Sequence, residues 1–142
     1  EHRYRRKIPE IFAEDGEEKF RIMEQNMLHE VAEFEDIVLS CGGGTPTWAD
    51  NMEYLNATTQ TSYMNAAPET ILAHLAMARG NRPILAGKSP EELDAFVRKQ
   101  LAEREVFYTK ARHIINVDIL DSFEKINDVV EMIAAHLDTK TA

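Results

Sequence analysis

Three arginines and a run of three glycines are the residues of this chain whose types suit chemistry on an anionic substrate. Arg21, Arg82 and Arg104 each carry a planar guanidinium, which binds a carboxylate or a phosphate through two parallel hydrogen bonds. Residues 42–44 are all glycine, and they either expose bare backbone to a ligand or form a turn that needs a positive φ. Taken singly, each arginine fits an ordinary surface position better than a binding site.

Two other patterns resemble known sites but lack essential residues. Gly87-Lys88-Ser89 matches the end of a phosphate-binding P-loop, yet Arg82 stands where the motif requires its first glycine. His29-Glu30 matches the start of a zinc-protease helix, but Glu33 takes the place of the second histidine. We therefore predict neither a P-loop nor a metal site from these residues.

Helices and strands are predicted to alternate along the chain and to position these residues. Apolar periodicity and capping signals predict helices over 17–34, 49–55, 68–78 and 90–105. A capping box at 121–124 predicts the start of a last helix. Strands are predicted over 36–40, 61–65 and 113–117. The strand over 36–40 is a continuous apolar run, which predicts burial on both faces, and it leads directly into the glycines. Such alternation predicts an α/β fold with a parallel sheet covered by helices.

Composition narrows the function classes. The 142 residues predict a single domain, and 16 basic against 25 acidic residues argue against a nucleic acid or an anionic membrane as partner. No apolar run reaches the roughly 18 residues of a membrane span. The single Cys41 excludes an internal disulfide and predicts a cytoplasmic protein. A basic run at residues 2–7 favours a solvated helix face over a site for an acidic partner.

The order of these features along the chain resembles shikimate kinase, a family of small P-loop kinases of the nucleoside-monophosphate kinase type. The matching segments are Ile8-Pro9-Glu10-Ile11-Phe12, Gly16-Glu17, Phe20-Arg21 with Glu24, Gly42-Gly43-Gly44, Asn81-Arg82-Pro83-Ile84-Leu85, Arg104 with Phe107-Tyr108, and Asn116-Val117-Asp118. Each segment alone is weak support, whereas their order and intervals together are specific. The resemblance implies an α/β three-layer sandwich with a parallel sheet, forming one kinase domain over residues 1–142 with a lid at about 78–92.

The resemblance also implies a reaction, in which the ATP γ-phosphate passes to the 3-hydroxyl of shikimate, with Mg²⁺ as cofactor. Arg21 and Arg104 would clamp the substrate carboxylate, and Glu24 would orient Arg21. The backbone of Gly42, Gly43 and Gly44 would approach the ring hydroxyls of shikimate. The enzyme would act in aromatic amino-acid biosynthesis, as a monomer.

Two lid arginines receive roles from the same resemblance. Arg82 would close with the lid and neutralise charge on the transferred phosphoryl group, which makes it the predicted catalytic residue. Arg79 is a less certain substitute for an arginine that stacks on adenine in other members. Both would therefore contact the nucleotide.

The family's first strand, Walker A loop and Asp-x-Asp segment have no counterpart in the 142 residues. The resemblance implies that these N-terminal strands, with most of the ATP and Mg²⁺ ligands, would precede Glu1, so we expect the 142 residues alone to be unstable and inactive. Two alternatives stay open, namely a non-catalytic module that binds the acid or a partner chain, and a related small-acid kinase such as gluconate kinase. The pairing of Arg21 with Arg104 around three glycines favours shikimate over gluconate.

Overall fold

The computed structural model describes residues 1–77, 87–120 and 125–138. The helices and strands in these ranges are α1 (Ile8–Val31), a short 3₁₀ helix (Thr45–Thr47), α2 (Asn51–Thr58), β1 (Ser62–Asn65), α3 (Pro68–Met77), α4 (Pro90–Tyr108), β2 (His113–Asn116) and α5 (Ile126–Asp138). The chain divides into two compact units, Glu1–Thr59 and Gln60–Ala142.

In the first unit, the long helix α1 contains a break at Gly16. This glycine has φ 80° and ψ 171°, a conformation that is open almost only to glycine. A Cβ atom at this position would meet nothing within 4 Å, so the backbone angles, and not crowding, require glycine. The helix predicted over 17–34 is present, but it begins earlier, at Ile8, and ends at Val31.

Helix α2 packs on α1 through apolar and polar contacts. The buried side chains of Ile11 and Leu28 on α1 and of Met52 and Leu55 on α2 form the apolar part of the first unit. The rings of His29 and Tyr54 stack at 3.8 Å between centroids, and Gln25 Nε2 donates a hydrogen bond to Asp50 Oδ1 at 3.0 Å. These contacts fix where the chain re-enters α2 after the glycines. The helix predicted over 49–55 is thus present with shifted ends.

The strand predicted over 36–40 is wrong. Residues 37–42 have no regular secondary structure, and Ile37, Val38 and Leu39 are 45%, 102% and 40% exposed. A strand exists only where a neighbouring chain segment supplies hydrogen-bond partners for its backbone, and no strand in the described ranges pairs with this segment. The apolar run therefore indicated side chains that suit a strand. It did not indicate whether another segment would hydrogen-bond to this backbone.

In the second unit, β1 and β2 form a parallel pair. Ser62 lies opposite His113 and Asn65 opposite Asn116, which confirms the strands predicted over 61–65 and 113–117. Ile115, Val117 and Val129 are buried together, with Ala66, Leu120 and Ile133 packed against them. Two helices, α3 and α4, lie between the strands in the sequence, as the predicted α/β fold requires.

Helix α4 begins at the predicted capping box. Ser89 Oγ accepts a hydrogen bond from the Glu92 backbone N–H at 3.2 Å, and Glu92 Oε2 accepts one from the Ser89 N–H at 2.7 Å. Pro90 takes the first helical position, where its missing N–H is not needed. The other predicted capping box, at residues 121–124, lies outside the described residues. None of the helices within the described ranges is long and apolar enough to cross a membrane.

Candidate functional site

Two carboxylates of its own helix hold the Arg21 side chain. Nη1 lies 2.8 Å from Glu24 Oε2, and Nη2 lies 3.3 Å from Glu17 Oε1. Residues three and four positions apart share one face of a helix, which places both carboxylates beside the guanidinium. The ion pair expected between Arg21 and Glu24 is therefore present. Glu17 is 67% exposed, so its longer contact adds little to the stability of the arrangement.

The guanidinium of Arg21 lies directly against Gly44. A Cβ atom built on Gly44 would fall 2.6 Å from Nη2, 2.7 Å from Nη1 and 2.8 Å from Cζ of Arg21, so no other residue fits without displacing the arginine. At Gly42 the corresponding Cβ would make only ordinary contacts, 3.6 Å from Thr45 Oγ1 and 3.9 Å from Glu24 Oε1. None of the three glycines has a positive φ. Gly43 and Gly44 do lie in a turn, which the Thr45 N–H closes onto the Gly42 carbonyl, but this turn needs no positive φ, so the close approach of Arg21 is what restricts Gly44.

Thr45 connects the glycine run to both neighbouring helices. Its N–H donates to the Gly42 carbonyl at 3.0 Å, and its Oγ1 donates to Glu24 Oε1 at 2.9 Å. Its own carbonyl accepts a hydrogen bond from Asn51 Nδ2 at 2.9 Å. Sequence reasoning missed Thr45 and Asn51. A threonine directly after the glycines, and an asparagine in the first turn of a helix, were the available signals.

Arg104 lies in the second unit, on α4, and is half-buried. Within the described ranges no carboxylate lies within ion-pair distance of its guanidinium, whereas Arg98 on the same helix pairs with Asp94 and Glu69. Arg104 thus keeps its hydrogen-bonding capacity for another partner. Its predicted clamp with Arg21, which belongs to the first unit, stays a prediction.

Arg79 and Arg82 lie outside the described residues, as do residues 78–86 of the predicted lid. Of the predicted lid, the structure describes Gly87, which has φ 78°, and the capped start of α4. The roles predicted for Arg79 and Arg82 therefore stay predictions.

The basic run at the beginning of the chain pairs with nearby acids. Arg6 contacts Glu14 at 2.9 Å and Asp15 at 2.6 Å, and Arg3 contacts Glu30 at 3.2 Å. Hydrogen bonds from Lys19 and then from Arg6 lower the pKa of Asp15. Residues 2–6 form turns and a bend before α1, so the predicted helix face is wrong, whereas the local ion pairs favour a solvated surface over a site for an acidic partner.

Comparison with known proteins identifies the family. A family model described as shikimate kinase matches residues 1–134. The chain belongs to the shikimate kinase family. A shikimate kinase of Bacteroides thetaiotaomicron is 44% identical over 131 residues, which are 92% of this chain and 75% of the relative. A shikimate kinase of Parabacteroides distasonis is 44% identical over 129 residues, or 91% of this chain and 75% of the relative.

A solved structure gives the same result for the fold. The crystal structure of shikimate kinase from Bacteroides thetaiotaomicron matches with a TM-score of 0.90 and 42% sequence identity, covering 96% of this chain and 78% of that one. This similarity confirms the predicted α/β fold of the P-loop kinase type. The resemblance inferred from the order of the motifs is confirmed, and this member of the shikimate kinase family is a kinase.

Proposed function

We propose that this protein transfers the γ-phosphate of ATP to the 3-hydroxyl of shikimate, in the route to chorismate and the aromatic amino acids. The observation that carries the proposal is the Arg21 guanidinium, which Glu24 orients at 2.8 Å and which lies against Gly44. Shikimate carries a carboxylate, and a pre-oriented guanidinium binds a carboxylate in a defined geometry. Family membership supports the choice of substrate.

Arg21 has donors left for the substrate. A guanidinium has five N–H groups, and the contacts with Glu24 and Glu17 each use one. The side chain is only 18% exposed, and partial removal of water strengthens its interaction with an anion. Arg104 would supply a second guanidinium to the same carboxylate. As the family resemblance implies, the backbone of residues 42–44 would approach the ring hydroxyls.

The remaining roles follow from the family. ATP and Mg²⁺ would be the co-substrate and cofactor, Arg82 would neutralise the transferred phosphoryl group, and Arg79 would contact the adenine. Within the described ranges, no group of three or more His, Cys, Asp or Glu side chains is arranged to hold a metal ion. We place the enzyme in the cytoplasm, as a monomer in one domain.

Replacing Arg104 by Ala in the full-length enzyme tests the function and the clamp together. Loss of a charge-assisted hydrogen-bonded pair weakens binding by about 10- to 100-fold, so we expect the KM for shikimate to rise by that factor. The KM for ATP should change by less than about twofold, because the clamp contacts only the acid. The measurement is ADP release from ATP with shikimate and, separately, with gluconate as acceptor.

Arg98→Ala is the matched control, because it removes an arginine from the same helix whose partners are Asp94 and Glu69. Its KM for shikimate should equal that of the unmodified protein. An unchanged KM in Arg104→Ala would refute the clamp. In the full-length enzyme, faster turnover of gluconate than of shikimate, or no turnover of shikimate at all, would refute the proposed function.

A further inference from the structure

Thr45 and Asn51 stand behind the contact between Arg21 and Gly44, and neither belongs to the predicted substrate-binding set. Thr45 is 3% exposed and Asn51 is 0% exposed, so neither side chain can reach a ligand from solvent. The Thr45 hydroxyl nevertheless donates to Glu24, and the Asn51 amide donates to the Thr45 carbonyl, next to the glycines. Their effect on the site must therefore pass through other residues.

Glu24 is the first of those residues. One of its carboxylate oxygens, Oε1, accepts the Thr45 hydroxyl at 2.9 Å, and the other, Oε2, lies 2.8 Å from Arg21 Nη1. The terminal torsion of a glutamate is broad, so an isolated carboxylate turns easily. The Thr45 hydroxyl removes that freedom, and the carboxylate then presents its second oxygen to Arg21 in one orientation.

Asn51 in turn holds Thr45. Its Nδ2 donates to the Thr45 carbonyl at 2.9 Å, while its Oδ1 is buried and has no hydrogen-bond partner in the described part of the chain. A buried acceptor without a partner lowers stability, so fold stability alone would favour an apolar side chain here. The amide is explained instead by the bond that it makes to the turn after the glycines.

We propose that Thr45 and Asn51 are positioning residues that set the affinity for shikimate by fixing Glu24, and through it the guanidinium of Arg21 against Gly44. This inference rests on the proposed function. It assigns the hydrogen-bonded series Asn51, Thr45, Glu24 and Arg21 to recognition of the substrate carboxylate. Neither Thr45 nor Asn51 contacts the substrate itself.

Thr45→Val removes the hydroxyl and keeps the shape of the side chain. Loss of one hydrogen bond to a charged group should raise the KM for shikimate about tenfold, while the KM for ATP stays within about twofold. Thr45→Ser restores the hydroxyl and should restore the KM for shikimate. Thr58→Val is the matched control, because that hydroxyl bonds to the Tyr54 carbonyl of its own helix and to no other group in the described part of the chain.

Asn51→Leu provides a second variant, in case Thr45→Val fails to fold. It removes the donor and also the unpaired acceptor, so its melting temperature should not fall, while its KM for shikimate should rise by a similar factor. A residue with a purely structural role would show the opposite, a lower melting temperature with both KM values unchanged. That separation of stability from affinity distinguishes a positioning residue from a structural one.

Cys41, the single cysteine, supplies a readout that needs no turnover. The residue is exposed, and partial desolvation of its thiol, followed by the charge of Glu24, raises the pKa of that thiol. If Thr45→Val or Asn51→Leu loosens the turn next to Cys41, the rate of Cys41 alkylation should rise by at least about threefold. Thr45→Ser keeps the hydroxyl and should leave that rate unchanged.

The outcomes separate the two claims. Shikimate turnover by the unmodified protein together with an unchanged KM for shikimate in both folded variants would overturn the positioning role alone. Equal rises in the KM for shikimate and for ATP, with a lower melting temperature, would also overturn it. Absence of shikimate turnover in the unmodified protein would overturn the proposed function and, with it, this inference.

Discussion

Gly44 and Arg21 impose a steric requirement on each other. Gly44 has φ −84° and ψ −22°, which any residue adopts, so its backbone conformation does not demand glycine. The demand comes from the guanidinium, whose three atoms would lie 2.6–2.8 Å from a Cβ at this position. At Gly44, the backbone conformation tolerates other residues, whereas the position of Arg21 favours glycine. A substitution at Gly44 should therefore affect substrate binding without affecting stability.

Gly44→Ala should fold normally and bind shikimate poorly. The φ and ψ angles suit alanine, so we expect no loss of thermal stability. The added methyl group displaces Arg21, and the KM for shikimate should rise by about tenfold or more through loss of a charge-assisted contact. Steady-state kinetics and a thermal melt of the same preparation measure the two effects.

A double-mutant cycle tests the cause of that loss. If Gly44→Ala acts by displacing Arg21, its effect should nearly vanish in an Arg21→Ala background, because the displaced group is already absent. Additive effects of the two substitutions would show that the methyl group blocks the substrate directly. Gly42→Ala, whose Cβ would make only ordinary contacts, should have a smaller effect than Gly44→Ala.

Strand β2 is joined to helix α3 by Asp118, just beyond the end of the strand. Its carboxylate accepts hydrogen bonds from the Ala67 N–H at 2.7 Å and the Thr70 hydroxyl at 2.8 Å, and Asn116 Nδ2 donates to it at 3.0 Å. The donors at the start of α3 would otherwise lack partners within the helix. A carboxylate at this end of a helix also interacts favourably with the helix dipole. Asp118 thus holds the start of α3 beside the sheet.

The contribution of Asp118 to stability should depend on pH. The backbone hydrogen bond from Ala67, followed by those from Thr70 and Asn116, lowers the pKa of Asp118 below its ordinary value of 3.8. A lowered pKa in the folded state means that the stabilisation is complete above the unfolded value and is lost as pH falls through the folded value. We therefore expect Asp118→Ala to lower the melting temperature at pH 7, with a difference that shrinks below about pH 4.

Thermal melts of both proteins between pH 3 and 7 measure this dependence. Asp94→Ala is the control, because it removes a carboxylate from a salt bridge on the surface of α4. Surface ion pairs contribute at most about 1 kcal/mol, so its melting temperature should differ little from that of the unmodified protein. A difference between Asp118→Ala and the unmodified protein that stays constant down to the acid end of the range would contradict the assignment.

The molecule combines a strong negative charge with an exposed apolar segment at residues 37–42. The net charge is −9 at pH 7, and the isoelectric point is about 5.0. Residues 37–42 lie outside any sheet, and Val38 is 102% exposed. An exposed apolar segment whose backbone N–H and C=O groups pair with no other strand favours association with a second chain. Charge repulsion opposes that association at neutral pH but not near the isoelectric point.

Val38→Lys should therefore reduce self-association near pH 5. We expect the unmodified protein to scatter more light at pH 5.0 than at pH 7.5, and the variant to scatter less at pH 5.0 because a charge interrupts the apolar segment. Val106→Lys adds the same charge at an exposed position within α4, where the helix satisfies the backbone, and should have little effect. Equal suppression by both variants would attribute the effect to net charge alone.

The sequence predicted the parts of this protein that depend on near neighbours. The capping box of α4 joins Ser89 to Glu92, and the ion pair between Arg21 and Glu24 spans one helical turn, so both could be inferred from spacing. The predicted segment over 36–40 failed for the opposite reason. Its apolar residues favour a strand, but a strand also needs a neighbouring segment that hydrogen-bonds to its backbone. The residues of 36–40 do not reveal whether such a segment is present.

By itself, the sequence predicted the shikimate kinase family and the α/β class, both of which are confirmed, and it named residues to bind the acid, which stay predictions. Only the tertiary structure showed that Arg21 lies against Gly44, and that Thr45 and Asn51 are hydrogen-bonded in series to Glu24. The contact between Thr45 and Glu24 joins residues 21 positions apart, across a segment without regular structure. Local propensity does not specify such a contact, because it depends on the path by which the folded chain brings α1, the glycines and α2 together.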